Sequence, residues 1–477
     1  MHPRRLQPPC PVPPGMTVRL ALLLGLLATP ALAEPPTPVP PPTPFQPKVD
    51  DPMLAPVPPA PRQVERWEEA IGLLRERSTD LESAEAGVER AEGRWRQALA
   101  SLLPNARFSA GVAIDALHPN TPSLGVPGGQ IGGGTGTGRQ PTAPLGTATV
   151  SLTQSVVDVS AWRGLSSAEA SQRSAEASLH DVQRRLTLGL SRAMVAVVAA
   201  ERAAELNRLG LRQALERAAL VQRTLELGAA TQLDLARTRQ DVEVARQSLI
   251  SGDEQLRRTR EALGLSLGFE HAVGVSPNFQ LQGLVAQTQT ACAPLKSVDE
   301  RPDLVAATAQ LESSRDSRRQ AAAGYLPTLG ITSNAFGLTT EPGPGRVAAW
   351  NIAAVLAVPI WEGGLRGGLV RERTGVEKQA AATLERTRRD AEFEIARARR
   401  GVEVAEALVK AATEARALAE QTDQLTRRSF EIGRSGSLEL VQSAAALRQA
   451  ELALALREFE LVQARLDAFL TEARCDW

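Results

Sequence analysis

Few side chains in this 477-residue chain have the type and spacing for chemistry. Among 54 acidic residues, Asp234 and Glu439 stand out, because each lies six positions after a glycine, Gly228 or Gly433, that ends a long helical pattern. An acid early in a helix offsets the macrodipole. If several copies meet on one axis, such acids also form a carboxylate ring that repels itself and draws cations. Cys292 and Cys475 each follow the second helix of a hairpin, comparable settings that suit one disulfide in an exported chain, expected midway along the long helices on the outer surface, with two unpaired buried thiols as the alternative. His118, His180 and His271 are scattered without metal-ligand spacing and read as surface residues. The glycine run at 132–138 lacks the Lys-Ser/Thr of a phosphate loop. No nucleophile, base, cofactor or metal constellation emerges, so no enzyme is expected.

The elements that position Asp234 and Glu439 are two helical hairpin tips. Leu227-Gly228 leads to Leu233-Asp234-Leu235, and Ile432-Gly433 leads to Leu438-Glu439-Leu440. A glycine past a helix end is the usual left-handed cap, and an acid in the next first turn opens the returning helix. Balanced charge, 54 basic against 54 acidic residues, gives no global field that would recruit nucleic acid.

Residues 1–33 carry a secretory signal, with Met16 as an alternative first residue. Arg19, the apolar core Leu20–Leu27 and Ala31-Leu32-Ala33 are its basic, apolar and cleavage regions. The core is too short to span a bilayer, and no later run reaches 18 apolar residues. No cysteine follows the expected cut, which argues against an N-terminal lipid anchor. Residues 34–63 form a leader, with thirteen prolines between 35 and 61, expected to be extended and unpacked.

Val64 to Leu103 reads as helix. Residues 105–116 alternate, with Phe108, Ala110, Val112 and Ile114 on one face, and residues 147–157 alternate again. A Gly/Pro-rich loop at 117–146 separates them. From Ala161 to Leu227 one helix of about 100 Å is expected at 1.5 Å per residue. A second runs to Leu263, followed by an irregular segment to Arg301. The pattern then restarts. Ser78-Thr79-Asp80-Leu81 and Arg301-Pro302-Asp303-Leu304 lie 223 positions apart, as do Leu103-Pro104 and Leu326-Pro327. Past the strands the offset is 204 or 205, which pairs Asp158 with Glu362, Gly228 with Gly433 and Leu233 with Leu438. The loop absorbs the difference, long at 117–146 and short at 339–346. The chain is therefore a duplication, with repeats at 64–300 and 301–477.

The last helix carries two heptad seams. Ala445, Leu452, Phe459 and Leu466 form one; Leu440, Leu447, Leu454 and Leu461 form the other, about 140° round the helix. Two seams imply a neighbour on each side, as in a curved wall. Strands at 105–116, 147–157, 327–338 and 347–358, greasy on one face, suit a membrane β-barrel, with Trp350 as an interfacial anchor. Four strands cannot close one, so several copies must pool theirs. The loop at 117–146 is then extracellular and should tolerate deletion of its glycine-rich part.

With these motifs assembled, the chain resembles the TolC-like outer-membrane efflux family across about residues 64–472. The carriers are the duplicated Leu-Pro before a strand, Glu300-Arg301-Pro302-Asp303-Leu304, Val358-Pro359-Ile360-Trp361-Glu362-Gly363-Gly364, and the two tips. The resemblance implies a mainly α fold with a transmembrane β part. It implies a homotrimer with a 12-stranded barrel in the outer membrane and a 12-helix α-barrel across the periplasm. Partners would be a periplasmic adaptor, an inner-membrane pump and outer-membrane lipid. By the same resemblance, Leu227, Gly228, Ala229, Ile432, Gly433 and Arg434 meet the adaptor. Asp234, Phe430, Ser435, Glu439 and Gln442 surround the entrance. Gln442 replaces the second ring acid, and Phe430 and Ser435 replace the lock tyrosine and arginine, so the latch on Asp234 must differ; Arg434 or Arg428 is the expected substitute. A duct for secreted polypeptide would use the same fold. A periplasmic coiled-coil scaffold without a pore would instead be water-soluble and would not fractionate with outer membrane.

Overall fold

The computed structural model describes residues 47–121, 140–341 and 349–477. The expected signal segment, the first part of the leader, the glycine run 132–138 and most of the two strand-joining loops lie outside the described residues. The order is β1 (Arg62–Val64), α1 (Trp67–Arg77), α2 (Thr79–Ala100), β2 (Asn105–Ala113), β3 (Gln140–Pro141), β4 (Leu145–Val157), α3 (Val159–Glu226) and α4 (Gln232–Ser266). Then come β5 (Val273–Val275), α5 (Leu281–Ala291), β6 (Cys292–Pro294), α6 (Pro302–Ala323), β7 (Thr328–Leu338), β8 (Thr340–Glu341), β9 (Ala349–Ala357), α7 (Leu365–Glu431), α8 (Ser437–Thr471) and β10 (Ala473–Cys475).

Three sequence expectations change. The helix expected from Val64 to Leu103 is two helices, because Ser78 takes an extended conformation and its hydroxyl accepts the Leu81 amide as the N-cap of α2. The segment expected to be irregular up to Arg301 contains β5, α5 and β6. Leu284 of α5 is fully buried in the main apolar cluster, so packing and not propensity builds this helix. The leader is not unpacked throughout: Met53, Leu54 and Val57 pack against α3 and α4.

Helix lengths match between the repeats, with 22 residues in both α2 and α6, 68 in α3 against 67 in α7, and 35 in both α4 and α8. Asp158 caps α3 through the Ala161 amide at 2.9 Å. At the matching place Gly363 and Gly364, at φ 62° and 89°, turn the chain into α7 without a side-chain cap. The apolar core sits beside the middle of α3 and the C-terminal ends of α4 and α8, where Trp67, Leu74, Met194, Leu263, Val273 and Leu466 cluster. Helix α8 lies against α7 and also against α3, which gives its two seams their two neighbours.

One antiparallel sheet runs β2-β4-β7-β9. Its register stacks like with like. Phe108, Val150, Ala335 and Trp350 form one row; Arg107, Ser151, Asn334 and Asn351 form the next. Adjacent rows face opposite sides, so one face is greasy and the other polar. Ile114 lies past the end of β2. Both edges, β2 and β9, lack a strand partner among the described residues, and Phe108, Ile352 and Leu356 are exposed on the greasy face.

Candidate functional site at the hairpin tips

Each long helix ends in the same hydrogen-bond pattern. At the first tip Gly228, φ 77°, donates to the Leu225 carbonyl at 2.9 Å and Ala229 donates to that of Thr224 at 2.8 Å. At the second, Gly433, φ 72°, donates to Phe430 at 2.9 Å and Arg434 to Ser429 at 2.8 Å. This is the Schellman closure, and only a residue free to take positive φ accommodates it without strain. Leu227 and Ile432 beside these glycines are exposed, as are Ala229 and Arg434.

The starts of the returning helices differ. Thr231 caps α4: its hydroxyl accepts the Asp234 amide at 3.2 Å, and the Asp234 carboxylate accepts the Thr231 amide at 2.9 Å, a reciprocal capping box. Gly436 occupies the same place before α8 and offers no side chain. Ser437, buried at the first turn of α8, donates its hydroxyl to the other carboxylate oxygen of Asp234. Asp234 therefore ties the two tips of one chain together. The Ser437 hydroxyl, then the Thr231 hydroxyl and amide, hold its carboxyl below the usual carboxylate range.

The substitute latch expected from Arg434 or Arg428 is corrected by this geometry, since neither arginine pairs with Asp234, whose oxygens the two hydroxyls and one amide take up. Ser435 faces back, its hydroxyl donating to the Thr426 carbonyl at 3.3 Å, and Phe430 is half-buried. Glu439 and Gln442 are exposed, and Glu439 has no ion pair among the described residues. Sequence reasoning missed Ser437. Its signal was a small hydroxyl beside a glycine cap, in repeat register with Gln232.

Two turns along α4 lies a second group that the sequence reading missed. Asp241, buried, accepts from Arg217 of α3 at 3.0 Å and from Arg448 of α8. Burial pulls the Arg217 guanidinium below its ordinary value, against the Asp241 hydrogen bond that raises it. In the second hairpin Asp423 of α7 accepts from Ser443 at 3.2 Å and pairs with Arg427 at 2.8 Å, whose side chain is half exposed.

Cys292 and Cys475 are joined by a disulfide where β6 pairs with β10, tying positions 183 apart. It lies level with Leu188, in the middle part of α3. Both cysteines are buried beneath Leu188, Leu470 and Trp477, not on the outer surface where the sequence reading placed them. No group of three His, Cys, Asp or Glu residues that could hold a metal occurs among the described residues, and none of the described helices is long and apolar enough to cross a membrane.

A family model described as "Outer membrane efflux protein" matches residues 70–269 and 294–467. Among solved structures, the outer membrane protein VceC from Vibrio cholerae is similar at 16% identity and TM-score 0.70, over 85% of this chain and 95% of that one. The Campylobacter jejuni CmeC outer membrane channel aligns at 14% identity and TM-score 0.69, over 89% and 94%. The open state of the Neisseria gonorrhoeae MtrE outer membrane channel aligns at 15% and 0.67, over 90% and 97%.

Proposed function

We propose, from the premise that this chain belongs to the outer membrane efflux protein family, that three copies form the outer-membrane channel-tunnel of a tripartite efflux system. Family membership places the chain in the outer membrane, reaching into the periplasm. The further reading is a passive duct for small molecules, driven by an inner-membrane pump through a periplasmic adaptor. The observation that carries it is the sheet: four strands, greasy on one face and polar on the other, with both edges unpaired among the described residues. Backbone groups at an open edge in lipid are unsatisfied, and pairing β9 of one copy with β2 of the next removes every edge. Twelve pooled strands would put the Arg107 row toward the lumen and the Phe108 row toward lipid. Cysteines placed on β2 and β9 should cross-link neighbouring copies in detergent up to a trimer; monomers or dimers alone would overturn this reading.

The tips would then be the periplasmic mouth. Exposed Leu227, Gly228 and Ala229, with Ile432, Gly433 and Arg434, would offer the adaptor its docking points. Asp234 would hold the two tips of each chain in register, with Phe430 and Ser435 packed behind. Glu439, exposed and without an ion pair among the described residues, would supply the carboxylate ring that Gln442 leaves half-charged. Glu439→Gln should lower cation selectivity in single-channel recordings of an intact trimer. Unchanged selectivity would reduce Glu439 to an acid that offsets a helix dipole.

A further inference from the structure

The end of the proline-rich leader holds to one hairpin as a ligand holds to a groove. Asp51 accepts the Met53 amide through Oδ1 and Arg246 of α4 through Oδ2, both at 2.9 Å. The Met53 amide, with the Arg246 pair behind it, keeps the Asp51 carboxyl below its ordinary value. Met53 and Leu54 lie on Leu211, Ala214, Val242, Ala245 and Leu249, and Val57 on Ala200, Ala204 and Leu256. The Pro58 carbonyl accepts from Arg260 at 2.8 Å. From Arg260 to Arg246 the arm follows α4 for about 21 Å toward the first tip, at 1.5 Å per residue. Pro52, Pro56, Pro58 and Pro59 face solvent. Pro52–Leu54 form a single 3-10 turn that Asp51 caps, and this turn sets the consecutive Met53 and Leu54 on the seam. From Ala55 the backbone is extended, and prolines there need no ladder partner.

The second repeat is the internal control. At the 205 offset, Leu211, Ala214, Val242, Ala245 and Leu249 become Arg416, Ala419, Leu447, Ala450 and Leu454, and Arg246 becomes Glu451. These residues are only half-buried. Arg416 pairs with Glu420 at 2.8 Å and reaches Glu451 at 3.8 Å, so the seam is bridged by its own charges and no described segment covers it. Of the two matching hairpins, the α3–α4 one has a continuous apolar strip with an arginine at its tipward end, and the α7–α8 one does not.

We propose that the α3–α4 seam is a peptide-binding groove and that residues 51–58 are its tethered, releasable ligand. The ligand class is a proline-containing peptide whose carboxylate caps a short 3-10 turn bearing two apolar residues, with a β-branched residue three positions further on. The groove stands on these contacts alone and does not depend on the channel reading.

The test uses a fluorescent peptide of residues 47–60. The receptors are the full chain, the chain lacking residues 47–58, and the full chain carrying Leu54→Asp to unseat the arm. The peptide should bind both altered chains at least about 10-fold more tightly than the intact one, where the tethered copy competes by effective concentration. Asp51→Ala in the peptide, or Arg246→Ala in the receptor, should weaken binding about 5- to 10-fold, from the lost cap and ion pair. No binding to either folded variant, or equal binding to the intact chain, would overturn the proposal. Hydrogen exchange on the unaltered protein decides the case in which neither variant folds. Arm amides that exchange well before those of Leu211 and Leu249 support a releasable ligand; exchange in step with the helices would make the arm a fixed element and refute it.

Discussion

Helix α3 buries nineteen of its 68 residues and α7 buries four of its 67, although the two come from matching places in a duplicated sequence. The neighbours explain the gap. Helix α3 is flanked by α2, α4, α6 and α8 of its own chain, whereas among the described residues α7 packs mainly against α6 and α8. Phe393, Leu418 and Leu425 are left exposed along α7 at 72%, 65% and 55%. A duplicated pattern thus fixes the helix and not its surroundings: the first copy finds its packing within the chain, and the second presents apolar surface that the proposed trimer would cover.

The sharpest test of that contrast is a buried charge. Met194→Glu on α3, at a position with no exposure, should abolish folding, an effect above about 4 kcal/mol. Leu418→Glu on α7 should leave the monomer folded, judged by circular dichroism, and prevent only assembly in size-exclusion chromatography. A Leu418→Glu chain that forms trimers would break the comparison.

The charged groups behind the tips should separate in the same direction. Asp241→Ala leaves Arg217 and Arg448 without their shared carboxylate, Arg217 buried, and should cost about 3–5 kcal/mol in urea unfolding. Asp423→Ala leaves Arg427, half exposed, free to hydrate, and should cost no more than about 1 kcal/mol. Equal costs would mean that the second hairpin is packed as tightly as the first.

Across the repeats, Cys475→Ser removes the tie between the end of the first repeat and the end of the second. Loss of about 2–4 kcal/mol is expected under oxidising conditions and none under reducing ones. Identical thiol counts by mass spectrometry before and after reduction would dismiss the bond itself.

The caps give a smaller contrast. Thr231→Ala should destabilise the first returning helix by about 1 kcal/mol, while Gly436→Ser should shift the second by only a few tenths, measured as local exchange at each tip.

The smallest effect concerns acid. The Asp234 carboxyl is depressed in the folded chain, so its stabilisation is complete above its unfolded pKa and fades as pH falls through the lower folded value. Ser437→Ala removes the largest cause of that depression, so the Asp234 titration should move up toward the ordinary carboxylate range in carboxyl-carbon NMR. An unmoved titration would mean that Thr231 alone holds the charge.

Whatever repeats along one element was legible in the residues alone. Uninterrupted Ala-, Arg- and Glu-rich runs gave α3 and α7 their lengths, Gly228 and Gly433 their stops, and period-two alternation the greasy row through Phe108 and Trp350. These depend on φ, ψ and side-chain period, which neighbouring residues along the chain set. What crosses between elements was set by the packing of the folded chain. That packing chose Ser437 as the partner of Asp234 from 203 positions away, gathered Asp241 with Arg217 and Arg448, formed α5 around Leu284, and laid Met53 and Leu54 in the α3–α4 seam. A hydroxyl, an arginine or a Pro-Met-Leu stretch carries no periodic signal. Its partner is fixed only when packing brings distant surfaces together and leaves buried polar atoms that must be satisfied.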